Sequence, residues 1–169
     1  MTAAAQRKSF DGHAEFTARL VANNMAEASK EIREFFDAYA KATGSLDLAF
    51  FESAYGDTFM FASPGGVQAV KREDFLKVVP RRTSFFRAAG LVASELSRLE
   101  EMGLDETHTL IQTRWSLRFE KDAGRPIIEE TAATYVLRRH QGSCQIVFQL
   151  DHQDLTKRLD ELGLLPASG

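Results

Sequence analysis

Four stretches near residues 91–102, 107–120, 126–140 and 143–152 alternate apolar and polar side chains, with only short turn-forming gaps between them. The gaps are Gly103-Leu104-Asp105, Lys121-Asp122-Ala123-Gly124-Arg125 and His140-Gln141-Gly142. Successive strand residues point to opposite faces, so a period of two marks a strand with one buried and one wetter side. Parallel neighbours need a long crossover, so gaps this short favour antiparallel ones. The second half is therefore expected to be a meander of long strands. Along the second run Ile111, Thr113, Trp115, Leu117 and Phe119 share one face and Gln112, Arg114, Ser116 and Arg118 the other. Along the fourth, Cys144, Ile146, Phe148, Leu150 and His152 share one face.

The first half repeats differently. From about 27 to 42, Ile32, Phe35, Phe36 and Tyr39 recur at helical intervals while Glu31, Arg33, Glu34, Asp37 and Lys41 mark a wet face. Gly44 is read as the helix stop and Ser45 as the N-cap of a second helix carrying Leu46, Leu48, Ala49, Phe50 and Phe51. Asp57 to Ala62 reads as a strand that ends in the turn formers Ser63-Pro64-Gly65-Gly66. Lys71 to Val79 returns to helical spacing, Pro80 is expected to interrupt it, and a second helical piece runs from Arg81 to about Ala88. Asp154 to Leu162 closes the chain as a short helix before Gly163. The domain reading is an N-terminal arm or extra helix over 1–26, one domain over 27–163 and a tail over 164–169.

Composition bounds the function classes. The 169 residues include 13 Phe and are 44% hydrophobic, enough for a real core in one domain. A net charge of −3 gives no general attraction to phosphate backbones, and no exposed aromatic series interleaves with basic residues, so nucleic acid is not expected as a partner. The single cysteine, Cys144, excludes an intramolecular disulfide, and His13, His108, His140 and His152 are too scattered for a metal site. No metal or cofactor is expected. The N-terminus lacks the apolar run of a secretory signal and no window has a membrane-spanning length of apolar residues, so the expectation is a soluble, cytoplasmic protein that does not engage a membrane.

Helix, helix, strand, interrupted helix and four antiparallel strands argue an α+β fold with helices on one face of a curved sheet, and exclude a Rossmann pattern. Three segments carry a closer likeness: Phe35-Phe36-Asp37-Ala38-Tyr39 leading to Gly44-Ser45-Leu46-Asp47, the run from Phe51 to Gly66, and the Cys144 to Phe148 strand. In these the chain, over roughly 27–155, resembles the nuclear-transport-factor-2-like superfamily, a cystatin-like cone that includes ketosteroid isomerases, SnoaL-like cyclases and scytalone dehydratase. The resemblance implies N-terminal helices packed on the concave face of a mainly antiparallel sheet, and a homodimer formed through the outer sheet face. It fixes the fold better than the activity.

In ketosteroid isomerases the proton-shuttling aspartate immediately precedes a proline in a segment similar to Ser63-Pro64-Gly65-Gly66. Here that position is Ser63, whose hydroxyl cannot replace a carboxylate base without an activating partner. Ketosteroid isomerase activity is not expected. Two titratable residues are candidates for other acid–base chemistry. His152 ends the apolar face of the fourth run between Asp151 and Asp154, and reads either as an oriented imidazole or as a hydrogen-bonded structural residue. Asp57 reads either as a catalytic acid or as a charged residue at the start of a strand. Tyr39, Phe61, Ser63, Trp115, Tyr135 and Phe148 are candidate ligand-binding residues, with plain core packing as the alternative for each. Lys71, Arg72, Lys77, Arg81, Arg82 and Arg87 form either a solvated face paired with Glu73 and Asp74 or a rim that steers an anionic ligand. The leading expectation is a pocket for a small apolar or acidic ligand. The alternatives are a SnoaL-like lyase, isomerase or hydrolase, and a dimeric association module without pocket chemistry. The Phe surplus, as the pairs Phe35-Phe36, Phe50-Phe51 and Phe85-Phe86, should lie between helices and sheet, walling a cavity or filling it.

Overall fold

The computed structural model describes residues 24–121 and 124–165. Of the N-terminal segment read from the sequence as an arm or extra helix, only residues 24–26 lie inside this range, and of the tail only 164–165. The described residues form seven strands and four helices. They are β1 (Ala26–Glu27), α1 (Lys30–Ser45), α2 (Leu48–Ala54), β2 (Tyr55–Ser63), β3 (Gly66–Lys71), α3 (Arg72–Ala88), β4 (Leu91–Gly103), β5 (His108–Phe119), β6 (Ile127–His140), β7 (Ser143–Asp151) and α4 (Leu155–Glu161). The strands make one open, curved sheet in the order β1-β4-β5-β6-β7-β2-β3. Every neighbouring pair is antiparallel except β2 with β7. The α+β layout and the four-stranded meander are those expected from the alternation.

The inner face of the sheet is set by register. Ile111, Thr113, Trp115, Leu117 and Phe119 of β5 pair with Tyr135, Ala133, Thr131, Glu129 and Ile127 of β6, which puts both sets on one face. Those five β5 residues are buried, as their alternation required. Against them lie α1, α2 and α3, whose Ile32, Phe36, Phe51 and Val79 are buried. Phe36 is fully enclosed, its ring 5.1 Å from that of Tyr135.

Local structure departs from expectation at four places. Gly44 does not stop α1, which runs to Ser45; Leu46 takes the left-handed conformation at φ 59°, and Asp47, not Ser45, caps α2 through its carboxylate and the Phe50 amide, 3.1 Å away. Leu46 meets that cost because its side chain packs against the core. Pro80 does not divide α3, which is continuous over Arg72–Ala88. A proline inside a helix removes one hydrogen bond, and here core contacts on both sides, Phe75 and Leu76 before it and Phe85 and Phe86 after it, hold the axis together. The turn at Pro64-Gly65 leads into β3, an almost wholly exposed edge strand that has no one-sided alternation to reveal it.

The fourth difference matters most for the site. Leu137 of β6 pairs with Ile146, but its neighbour Val136 pairs with Phe148, so Val147 is an extra residue in β7. A bulge of one residue reverses which side chains face inward beyond it. The shared face expected for Ile146, Phe148, Leu150 and His152 is therefore broken after Ile146: Gln149 and Asp151 oppose the inward Tyr135 and Ala133, while Phe148 and Leu150 turn to the outer face.

Candidate functional site

Between the helices and the inner sheet face lies a cavity of about 200 Å³. Its walls are aromatic and aliphatic, with Phe51, Phe61, Phe75, Phe86, Trp115 and Leu117 among them. Phe51, Phe59, Phe75, Tyr39 and Tyr55 pack mainly edge to face or tilted, with centroids 4.6–6.3 Å apart. Such pairs resist collapse into the space beside them because each ring is braced by another. A mostly apolar cavity with a few convergent polar tips is the usual form of a small-molecule site.

The polar tips form one connected line. The hydroxyls of Tyr39 and Tyr55 lie 3.1 Å apart. Tyr55 donates to Gln149 Oε1 at 2.7 Å, and Gln149 Nε2 donates to Asp151 Oδ1 at 2.8 Å. Arg82 from α3 approaches Asp151 Oδ2 at 3.5 Å and lies over the Phe86 ring, 5.5 Å from its centroid. Gln149 is 7% exposed and the Asp151 side chain 21%, so the line runs from the interior to the cavity mouth. Tyr135 contributes a third phenol to the wall. Burial raises the pKa of Tyr39 and pushes Tyr55 and Tyr135 well above the ordinary tyrosine range. All three are neutral phenols at physiological pH, able to give or take a hydrogen bond but not to act as phenolate nucleophiles.

Of the residues singled out from the sequence, Tyr39, Phe61, Trp115 and Tyr135 line this cavity together. Trp115 offers only its ring, because its indole N–H donates to Thr113 Oγ1 at 3.0 Å, which in turn donates to the Ala133 carbonyl at 3.1 Å. Ser63 lies outside, where its Oγ accepts the Gly65 amide at 3.2 Å and holds the β2–β3 turn. Phe148 is on the outer face beyond the bulge. His152 is exposed, its Nε2 2.8 Å from Thr134 Oγ1, beside an outer groove that includes Arg98, Glu100, Gln112 and Arg114. Asp57 has a side chain 92% exposed and pairs at 2.9 Å with Arg72, whose guanidinium also donates to the Tyr55 carbonyl and fastens α3 to β2. Neither His152 nor Asp57 lines the cavity.

Sequence reasoning passed over Tyr55, Gln149 and Asp151 as cavity groups, and named Arg82 only within a six-residue basic rim. Tyr55 falls where a helical stretch gives way to a strand, and Arg82 is one charge of a basic stretch. Gln149 and Asp151 carry the wrong face in the alternation, because the bulge is set by pairing with β6 and leaves no trace in β7's own pattern. Among the described residues no cluster of His, Cys, Asp or Glu is arranged to hold a metal. The thiol of Cys144 is pushed up by burial and by Glu31, whose carboxylate lies 3.5 Å away, so it lacks the thiolate character of a nucleophile.

The family model described as "NTF2-like protein (DUF6841)" matches residues 29–154, well over half of the chain. The chain belongs to this NTF2-like family. The match spans every helix and strand of the described residues except β1 and α4. Solved structures agree on the fold. A protein of unknown function from Shewanella oneidensis matches with a TM-score of 0.59 at 15% identity, over 73% of this chain and 97% of that one. A protein with a cystatin-like fold from Nostoc punctiforme matches with a TM-score of 0.60 at 11% identity, over 76% and 96%. Aln2 from a Streptomyces species matches with a TM-score of 0.61 at 16% identity, over 79% and 99%. A search of curated proteins finds no match. At these identities the NTF2-like likeness carries the fold and leaves the activity to the cavity's own chemistry.

Proposed function

We propose that this NTF2-like protein binds a compact, largely apolar small molecule in the cavity between helices and sheet. The observation that carries this reading is that the phenylalanine-rich interior does not close: about 200 Å³ stays open beside four Phe rings, Trp115 and three tyrosines. That volume falls below the roughly 300–1,000 Å³ of sites for drug-sized ligands, so the ligand is small or extends through the mouth past Arg82 and Asp151. The lyase, isomerase or hydrolase alternative draws no support from His152 or Asp57, which stand on other surfaces. The bare association module does not account for a connected polar line aimed into an apolar cavity.

Trp115 is the only tryptophan of the chain and sits in the cavity wall, so its fluorescence reports occupancy directly. Titration with phenol or fluorobenzene should change Trp115 emission saturably in the wild type. Ala133 also lines the wall, and Ala133→Leu should fill the space and abolish the change. A non-saturable response, or one that survives Ala133→Leu, would overturn the reading. The same reading takes the protein as a homodimer joined through its outer sheet face, where Phe148, Leu150 and the 55%-exposed Ile128 supply apolar surface.

A further inference from the structure

The polar line in the cavity has a fixed direction, and the role given to it here rests on the cavity being the ligand site. A carboxylate accepts hydrogen bonds and cannot donate them. Asp151 Oδ1 lies 2.8 Å from the Gln149 amide, so it selects the NH₂ end of that amide and turns the carbonyl end toward Tyr55. An amide oxygen only accepts, so the one proton of the Tyr55 hydroxyl is committed to Gln149 Oε1 at 2.7 Å. Tyr39, 3.1 Å from that hydroxyl, can then meet it only with its own proton. Each O–H along the line points toward Asp151. What the Tyr39 oxygen has left to show the cavity is a lone pair. The Tyr135 hydroxyl, on a ring 6.1 Å from that of Tyr39, turns its proton toward that same lone pair and, as a rotor, can give it instead to an oxygen set between the two.

We propose that this end of the cavity is a hydroxyl receptor: the ligand is a compact apolar molecule with a neutral alcohol or phenol group, whose O–H donates to Tyr39 and whose oxygen accepts from Tyr135. Gln149 and Asp151 are positioning residues, acting through Tyr55 to set the polarity. A ligand carbonyl or carboxylate at Tyr39 places lone pair against lone pair. Tyr39 and Tyr55 are for the same reason unsuited to stabilise an oxyanion, since both protons are already spent.

The test is calorimetric titration with three probes of similar size: phenol, which donates and accepts; benzaldehyde, which only accepts; and fluorobenzene, which does neither to any extent. The wild type should bind phenol about tenfold more tightly than benzaldehyde, the value of one well-made hydrogen bond, and fluorobenzene most weakly of the three. Asp151→Asn frees the Gln149 amide to turn over, and the phenol-to-benzaldehyde ratio should fall toward one while fluorobenzene affinity holds. Tyr39→Phe should bring phenol down to the benzaldehyde level, the bond from Tyr135 remaining, and leave fluorobenzene unchanged, which also shows that the variant is folded. A merely structural role for Asp151 would not move the ratio between probes. Equal binding of phenol and benzaldehyde by the wild type, a preference for benzaldehyde, or a phenol preference that survives Asp151→Asn overturns the hydroxyl receptor and leaves the cavity reading standing. Failure of all three probes to bind overturns the cavity reading, and the receptor with it.

Discussion

Thr113 is the residue on which the cavity wall turns. It is 2% exposed, and its hydroxyl takes the Trp115 indole proton while giving its own to the Ala133 carbonyl. Thr113→Val keeps the shape but strands a buried N–H, so it should cost about 1–3 kcal/mol in urea or thermal unfolding. At the surface, Asp105 accepts the Thr107 and His108 amides, each at 2.7 Å, before β5 begins. Those two backbone bonds, with further help from the His108 ring and the Thr107 hydroxyl, hold its carboxyl far below the usual carboxylate range. A depressed folded-state value means the contribution is whole above the unfolded value of about 4 and fades as pH falls toward the folded one. The stability difference between wild type and Asp105→Asn should therefore be largest at neutral pH and shrink steadily below about pH 4, as denaturation midpoints across pH would show.

At the scale of elements, periodicity found the long strands and most of α1, because burying one face leaves a regular imprint on composition. It failed where a single residue's backbone or a remote pairing decides the outcome. Leu46 supplies a left-handed cap that Gly44 seemed made for, and β3 is too exposed to carry an imprint at all. Tyr39, Trp115 and Tyr135 were legible as a shared interior because each sits in an element of unbroken phase. Gln149 and Asp151 were not, because their phase is imposed by β6. The α3–β4 junction makes a sharper demand: Gly90 has φ +94°, and a Cβ there would come within 2.6 Å of the Glu120 carbonyl oxygen. Its own carbonyl accepts the Glu120 amide at 2.8 Å, which pins β4 to the end of β5. Gly90→Ala should destabilise by more than about 1 kcal/mol, where the same change at Gly44, with open space around it, should stabilise α1 or leave it unchanged. Thermal unfolding of the two variants side by side checks the contrast.

For the whole molecule, the open question of the sequence was whether the phenylalanines fill the interior or wall it. They do both. Phe36, Phe51 and Phe59 are buried in the core, while Phe51 also joins Phe61, Phe75 and Phe86 around the space that remains. On the opposite face, Phe148 and Leu150 stand where a second copy is proposed to dock. Light scattering should give twice the chain mass for the wild type, and Phe148→Glu should give a monomer that still binds phenol in the cavity. A wild-type monomer at micromolar concentration would remove the dimer and leave the ligand reading intact. Val147 ties the two faces together, since leaving it out of the ladder decides what each of them carries. The same sequence paired without the bulge, with Val147 opposite Val136, would turn Phe148, Leu150 and His152 to the ligand side and Gln149 and Asp151 to the partner side. Deleting Val147 would therefore leave both surfaces as they are, whereas absorbing it into the ladder would exchange the chemistry of both at once without a single substitution.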